Sequence, residues 1–190
     1  MLEQLEIEFK YDASKIKLND FIKFCQQKNP ISYKIMFGYD SFYKSASSSS
    51  SFYRHRISNY DNQLTYKRKT VDGNSFVRKE INIDMKRKIT EPVIADYCKE
   101  LGYEFNMSLF KSSFVFEYET YTLVYYICYD TNMNELGRFI EIEMSEDYKW
   151  KNKEEAWGQL IVLEKLAKPL GLTTSARIKK SLFEMYGNHD

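Results

Sequence analysis

Residues 6–10 of the chain read Glu6-Ile7-Glu8-Phe9-Lys10. Side chains alternate faces along a strand, so Glu6, Glu8 and Lys10 share one face while Leu5, Ile7 and Phe9 share the other. Two carboxylates and an ammonium on one face make a poor ordinary core. They make a good wall for a polar cavity that holds a metal ion and an anion together. The pattern returns late in the chain, in Phe139-Ile140-Glu141-Ile142-Glu143-Met144, where Glu141 and Glu143 face one way and Ile140, Ile142 and Met144 the other.

Working outward from these two segments, alternation and β-branched or aromatic content predict strands over Glu3–Tyr11, Ser32–Tyr43, Ser51–Ser58, Gln63–Lys69, Phe76–Met85, Leu109–Glu119, Tyr121–Asp130 and Arg138–Met144. Asp72-Gly73-Asn74 is a turn signal, and the serine run from Ser45 to Ser51 reads as a flexible connector. Helices are predicted over Asn19–Gln27, Glu91–Leu101 and Asn152–Lys168, with a short one near Ile178–Tyr186. No repeat and no linker divides the chain, so residues 1–190 read as a single domain.

The strands carry charge on one face only. Arg54 and Arg56 share a face, as do Lys67 and Lys69, and Arg78, Glu80, Asn82 and Asp84. Solvation of these faces would describe a half-buried sheet with one wet side. Closure would instead give an antiparallel barrel of about eight strands with the charges pointing inward and helices outside. Segregation by sign favours closure, because the acidic pairs lie on the first and last strands and the basic pairs on the middle ones.

Composition narrows the function classes. The 28 Lys plus Arg balance 27 Asp plus Glu, which gives no general reason to expect a nucleic-acid or membrane binder. Cys25, Cys98 and Cys128 are odd in number and widely spaced, so they read as buried thiols in a reducing compartment. The N-terminus lacks an apolar signal core, and no apolar run approaches the ~20 residues that span a bilayer. The expectation is a cytoplasmic protein without a membrane segment. His55 lies on the face opposite Arg54 and Arg56 and is expected on the exterior or beneath a helix, not as a ligand. Lys86–Lys88 reads as a solvated loop and Trp150 as a packing residue. No Ser-His-Asp set, cysteine nucleophile or glycine-rich phosphate loop is present.

In order along the chain, the motifs resemble those of the CYTH domain family, the triphosphate tunnel metalloenzymes, which includes thiamine triphosphatases, inorganic triphosphatases and class IV adenylyl cyclases. Glu6-x-Glu8-x-Lys10 matches the opening signature, and Asp40-Ser41-Phe42-Tyr43 resembles the Asp-x-Tyr-Tyr/Phe segment. Arg54-His55-Arg56, Leu64-Thr65-Tyr66-Lys67 and Arg78-Lys79-Glu80 match the Arg-x-Arg, Leu-Thr-x-Lys and Arg-x-Glu strands. Tyr129-Asp130 followed by Leu136-Gly137-Arg138-Phe139-Ile140-Glu141-Ile142-Glu143 matches a further segment, and Lys180-Ser181-Leu182-Phe183-Glu184 resembles the closing Ser-Tyr-x-Glu-Leu region. Two departures stand out. Ser113 occupies the place of the Arg in a Lys-x-Arg pair that begins at Lys111, and Leu182 replaces the usual Tyr.

The resemblance implies an α+β protein built on an eight-stranded antiparallel β-barrel, with a charged lumen that binds a triphosphate and helices packed outside. It implies Mg²⁺ or Mn²⁺ held by Glu6, Glu8, Asp130, Glu141 and Glu143, since hard cations take carboxylate and phosphate oxygens. Lys10, Arg54, Arg56, Lys67, Arg78 and Lys111 would grip phosphate oxygens, with Lys10, Glu8 and Glu143 closest to the chemistry. The expected activity is a metal-dependent triphosphatase acting on inorganic triphosphate, a nucleoside triphosphate, thiamine triphosphate or, less favoured, an RNA 5′ end. One alternative is a class IV-type adenylyl cyclase; those carry a His-Phe pair ahead of the opening motif, and Met1 to Leu5 contain none. The other is a non-catalytic nucleotide or polyphosphate binder, to which Ser113 lends some weight. A monomer or a homodimer is expected.

Overall fold

The computed structural model describes residues 4–45, 51–69, 76–85, 89–145 and 152–188. Its strands are β1 (Gln4–Asp12), β2 (Ser32–Ser45), β3 (Ser51–Ser58), β4 (Asn62–Lys69), β5 (Val77–Asp84), β6 (Tyr103–Glu117), β7 (Tyr121–Tyr129), β8 (Glu135–Met144) and the two-residue β9 (Arg177–Ile178). Its helices are α1 (Leu18–Gln26), α2 (Glu91–Glu100), α3 (Lys153–Leu166) and α4 (Leu182–Tyr186). The expectations for the serine run 46–50, the turn at Asp72-Gly73-Asn74, Lys86–Lys88 and Trp150 fall outside the described residues.

The strands run in the order β5-β4-β3-β2-β6-β7-β8-β1, and β1 pairs back to β5, so the sheet closes into an eight-stranded antiparallel barrel of the α+β class. β9 extends the edge of β1 at Lys10 and Tyr11. Closure follows from the two-sided use of β1: residues 4–7 pair with β5 and residues 8–12 with β8. Gly38 is required where β2 crosses β3, because a Cβ there would lie 2.1 Å from the Ile57 carbonyl oxygen.

The apolar core lies outside the barrel wall. Ile7, Phe9 and Tyr11 of β1 and Ile140 and Ile142 of β8 point outward into a buried cluster with Ala156, Leu160 and Leu163 of α3. Asn152 caps α3 by accepting from the Glu155 amide, and Gly171 at φ +85 turns the chain beyond it. Phe21 of α1 packs on Phe116 and Tyr125 at 5.9 and 5.5 Å. α2 covers β3, with Glu91 bonded to the fully buried His55 at 2.9 Å, and the far ring nitrogen of His55 meets the Asn62 amide oxygen at 3.0 Å. His55 therefore lies under a helix, as its outward parity requires.

α4 packs over one end of the barrel. Leu182 and Phe183 bury among the lumen-side residues Phe42, Phe52, Leu109 and Phe139, and Phe183 stacks on Phe52 at 4.8 Å. A capping box between Ser181 and Glu184 starts this short helix. Leu182 thus fills, as an apolar plug, the place where the resembling family carries Tyr.

One boundary and one added element depart furthest from expectation. β6 begins at Tyr103, because Tyr103–Met107 pairs with the end of β2 beyond a bulge at Phe42/Tyr43, and the bulge breaks the alternation that would have signalled it. β9 is too short to leave any periodic signal. Among the described residues no helix is long and apolar enough to cross a membrane.

Candidate active site in the barrel lumen

The lumen is a cavity of about 790 Å³ into which the inward residues of every barrel strand project. On its acidic side, β1 and β8 place Glu8 opposite Glu143 and Lys10 opposite Glu141. The Lys10 ammonium lies 3.2 Å from Glu141 and 3.6 Å from Glu8. Burial pushes the Glu8 carboxyl up to about 7, helped by the charge of Glu141. Burial, with Glu6 and Glu8 adding repulsion, raises Glu143 well above the ordinary carboxylate range. Burial would lower Lys10, but Glu8 and Glu141 outweigh it and keep the ammonium charged.

The basic side comes from β3, β4, β5 and β6. Lys67 contacts Glu6 at 2.5 Å and Glu80 at 2.8 Å. Despite the cost of burial, Lys67, Arg78 and Arg54 hold the Glu6 carboxyl down at about 2. Arg56 grips Asp40 with two parallel bonds of 2.7 and 2.9 Å. Arg54 stands 3.9 Å from Glu80, and Arg78 stands 3.8 Å from Glu8 and 3.4 Å from Glu184. Among the described residues, Lys111 has no carboxylate within 4.0 Å, and burial together with the Arg56 charge lowers its pKa. Such a lattice of buried pairs holds like charges apart, and it leaves groups that an incoming polyanion can recruit.

The lumen brings together Glu6, Glu8, Lys10, Arg54, Arg56, Lys67, Arg78, Lys111, Glu141 and Glu143. Asp130, expected among the metal ligands, does not line this cavity. A register shift at Cys128/Tyr129 ends the inward parity of β7. The Asp130 carboxylate is spent on its own turn, accepting from the Asn132 and Asn134 amides at 2.8 Å and from the Asn134 side chain at 2.9 Å.

Asp40, Tyr126 and Glu184 contact charged residues of the lumen and carry no expected role from the sequence. Asp40 lay within a quoted motif, and its parity opposite Arg56 was a readable signal. Tyr126 was hidden in the apolar run of β7. Glu184 reaches Arg78, and Lys69 at 2.6 Å, only because α4 folds over the barrel end, which no local pattern reveals.

The donor set suits a hard cation. Glu8 adds to the repulsion on the buried Glu143 carboxyl, and Glu6 Oε2 is buried without a hydrogen-bond partner. Among the described residues no three acidic, histidine or cysteine side chains form a ready cage.

No protein-family sequence model matches the chain, and no curated protein is similar to it by sequence. Solved structures do match across nearly its whole length. The PH1012 protein of Pyrococcus horikoshii OT3 superposes with a TM-score of 0.73 at 20% identity, covering 94% of this chain and 98% of that one. A Vibrio parahaemolyticus protein described as a "putative adenylate cyclase" gives 0.67 at 14% identity, covering 97% and 98%. The Schizosaccharomyces pombe Pct1 RNA triphosphatase gives 0.50 at 13% identity, covering 90% and 86%. By its closed eight-stranded barrel and these likenesses, the chain has the fold of the CYTH, or triphosphate tunnel, proteins.

Proposed function

We propose that this chain is a metal-dependent triphosphatase that binds a triphosphate inside the barrel and releases its terminal phosphate. The observation that carries the reading is one lumen lined by both signs: Glu8, Glu141 and Glu143 from β1 and β8 together with Arg54, Arg56, Lys67 and Arg78 from β3 to β5. A triphosphate carries about four negative charges, and its hydrolysis is limited by charge and positioning more than by covalent chemistry.

In this reading Glu6, Glu8, Glu141 and Glu143 hold Mg²⁺ or Mn²⁺. When bound, the cation offsets charge on the phosphate oxygens and lowers the pKa of water. Arg54 and Arg56 clasp phosphate oxygens as forks, while Lys67, Lys111 and Lys10 act as point charges. Lys10, standing between Glu8 and Glu141, keeps a phosphate oxygen beside the acidic wall. Glu8 and Glu143 orient the attacking water by hydrogen bonds and take its proton. Substrates are small-molecule triphosphates; an RNA 5′ end would have to reach the same lumen. A soluble cytoplasmic enzyme, monomeric or homodimeric, fits the balanced charge.

A second reading, an adenylyl cyclase, draws on the described activity of the Vibrio parahaemolyticus neighbour. One assay separates them: ATP, inorganic triphosphate and thiamine triphosphate are each incubated with the chain and Mg²⁺ or Mn²⁺, and the products are resolved by chromatography. Orthophosphate with ADP is expected. Pyrophosphate with cyclic AMP would replace the hydrolase by the cyclase, and no product from any triphosphate would leave a binder.

A further inference from the structure

Tyr126 of β7 contacts two charged residues that line the lumen, Glu141 and Lys111. It is fully buried. Its neighbours across the sheet are Ser113 on β6 and Phe139 on β8. Its hydroxyl donates to Glu141 Oε1 at 2.6 Å. Its ring lies 3.9 Å below the Lys111 ammonium and 5.3 Å from the Phe139 ring. One side chain therefore touches a carboxylate on the acidic wall and a cation on the basic wall.

The hydroxyl is not needed merely to fill space, since a phenylalanine would pack against Phe139 equally well. The hydroxyl bond fixes one oxygen of Glu141, whose other partner is Lys10. A carboxylate oriented by an outer donor presents its remaining lone pairs in one direction, the way protein metal ligands are commonly held. The ring face stands where a counter-ion would otherwise be. Lys67 and Arg56 are tied to carboxylates, whereas Lys111 rests on a π face. A cation–π contact is weak enough to leave the three ammonium N–H groups available to an anion. The position gains further meaning from Ser113, directly across from Tyr126, whose buried hydroxyl has no hydrogen-bond partner. An aromatic ring occupies the corner that a second cation of a Lys-x-Arg pair would share.

We infer that Tyr126 is a positioning residue, setting the Glu141 carboxylate for a divalent cation through its hydroxyl and holding Lys111 for the triphosphate through its ring. The inference deepens the triphosphatase reading and rests on it. It divides the side chain into two separable functions, one at the oxygen and one at the ring.

The test uses Tyr126→Phe, Tyr126→Leu and Lys111→Met, each confirmed as folded by thermal melting. Mn²⁺ binding to the free chain is followed by electron paramagnetic resonance, and hydrolysis of inorganic triphosphate is followed in parallel. Tyr126→Phe should weaken Mn²⁺ about tenfold, the scale of outer-sphere losses, with KM for triphosphate at saturating Mn²⁺ unchanged. Tyr126→Leu should weaken Mn²⁺ equally and also raise KM, and Lys111→Met should raise KM alone. Unmoved Mn²⁺ affinity in Tyr126→Phe, or an unmoved KM in Tyr126→Leu, would overturn the assignment, as would a wild-type chain that binds no Mn²⁺. Wild-type hydrolysis with unaffected variants sinks only the role of Tyr126. Mn²⁺ binding that weakens in Tyr126→Phe, in a chain that hydrolyses nothing, sinks only the triphosphatase reading.

Discussion

Glu8 and Glu143 stand directly opposite one another on the paired strands β1 and β8, and both point into the lumen. Opposed residues in such a ladder have Cβ atoms about 4.5–5.5 Å apart, so like charges there repel. Burial raises both carboxyls, with the Glu141 charge helping to lift Glu8 to about 7 and the Glu6 and Glu8 charges helping to lift Glu143. A group whose folded pKa is raised favours the fold below its unfolded value, and that advantage is lost as pH rises through the folded value. In the presence of a chelator, Glu8→Gln should therefore leave Tm unchanged near pH 4 and raise it above that of the wild type near pH 8. Mn²⁺ should raise the wild-type Tm more at pH 8 than at pH 5. Melting curves across that range check both; a Glu8→Gln variant less stable at pH 8 than at pH 4, relative to wild type, would remove the repulsion argument.

The Asp40–Arg56 pair behaves oppositely. Burial raises the Asp40 carboxyl, but Arg56 more than offsets this and holds it well below the usual carboxylate range. Removing one partner of a buried pair strands the other charge, at about 3–5 kcal/mol. Arg56→Ala should thus lower unfolding free energy by about that amount, measured by urea titration at pH 7. Asp40→Ala leaves an arginine that the triphosphate itself can neutralise, so inorganic triphosphate should restore more stability to Asp40→Ala than to Arg56→Ala.

Ser113 lines the cavity, and its hydroxyl has no hydrogen-bond partner. An arginine there would add a charge-assisted phosphate contact, typically worth ~1.5–3 kcal/mol and so about tenfold or more in affinity. Ser113→Arg should lower KM for inorganic triphosphate, with kcat changed only if the contact strengthens as charge moves. Crowding against Tyr126 would appear instead as a lower Tm. Unaltered KM and kcat on inorganic triphosphate, ATP and thiamine triphosphate would show that the lumen does not lack this charge.

Most of the barrel was legible because parity survives translation from sequence to space. Glu6, Glu8, Arg54, Arg56, Lys67, Glu141 and Glu143 face inward because each shares its strand's charged face. What escaped depended on contacts between distant segments. Asp130 continues the parity of β7, yet the register shift at Cys128/Tyr129 turns it into a turn-capping residue. Tyr126 sits in a run of large apolar residues, where a hydroxyl aimed at Glu141 looks no different from core. Glu184 reaches Arg78 only through the packing of α4, which its five residues could not direct alone.

The most direct measurement is orthophosphate release from inorganic triphosphate by wild type, Glu8→Gln and Glu141→Gln, with Mg²⁺ or Mn²⁺ and with chelator. The tunnel triphosphatase account predicts release by the wild type that stops with chelator and falls at least about 100-fold in both variants, a loss typical of removing a group that acts in the transition state. Thermal melting should show both variants folded. Metal-dependent turnover that is unchanged in both variants, or no phosphate release by the wild type, would contradict it.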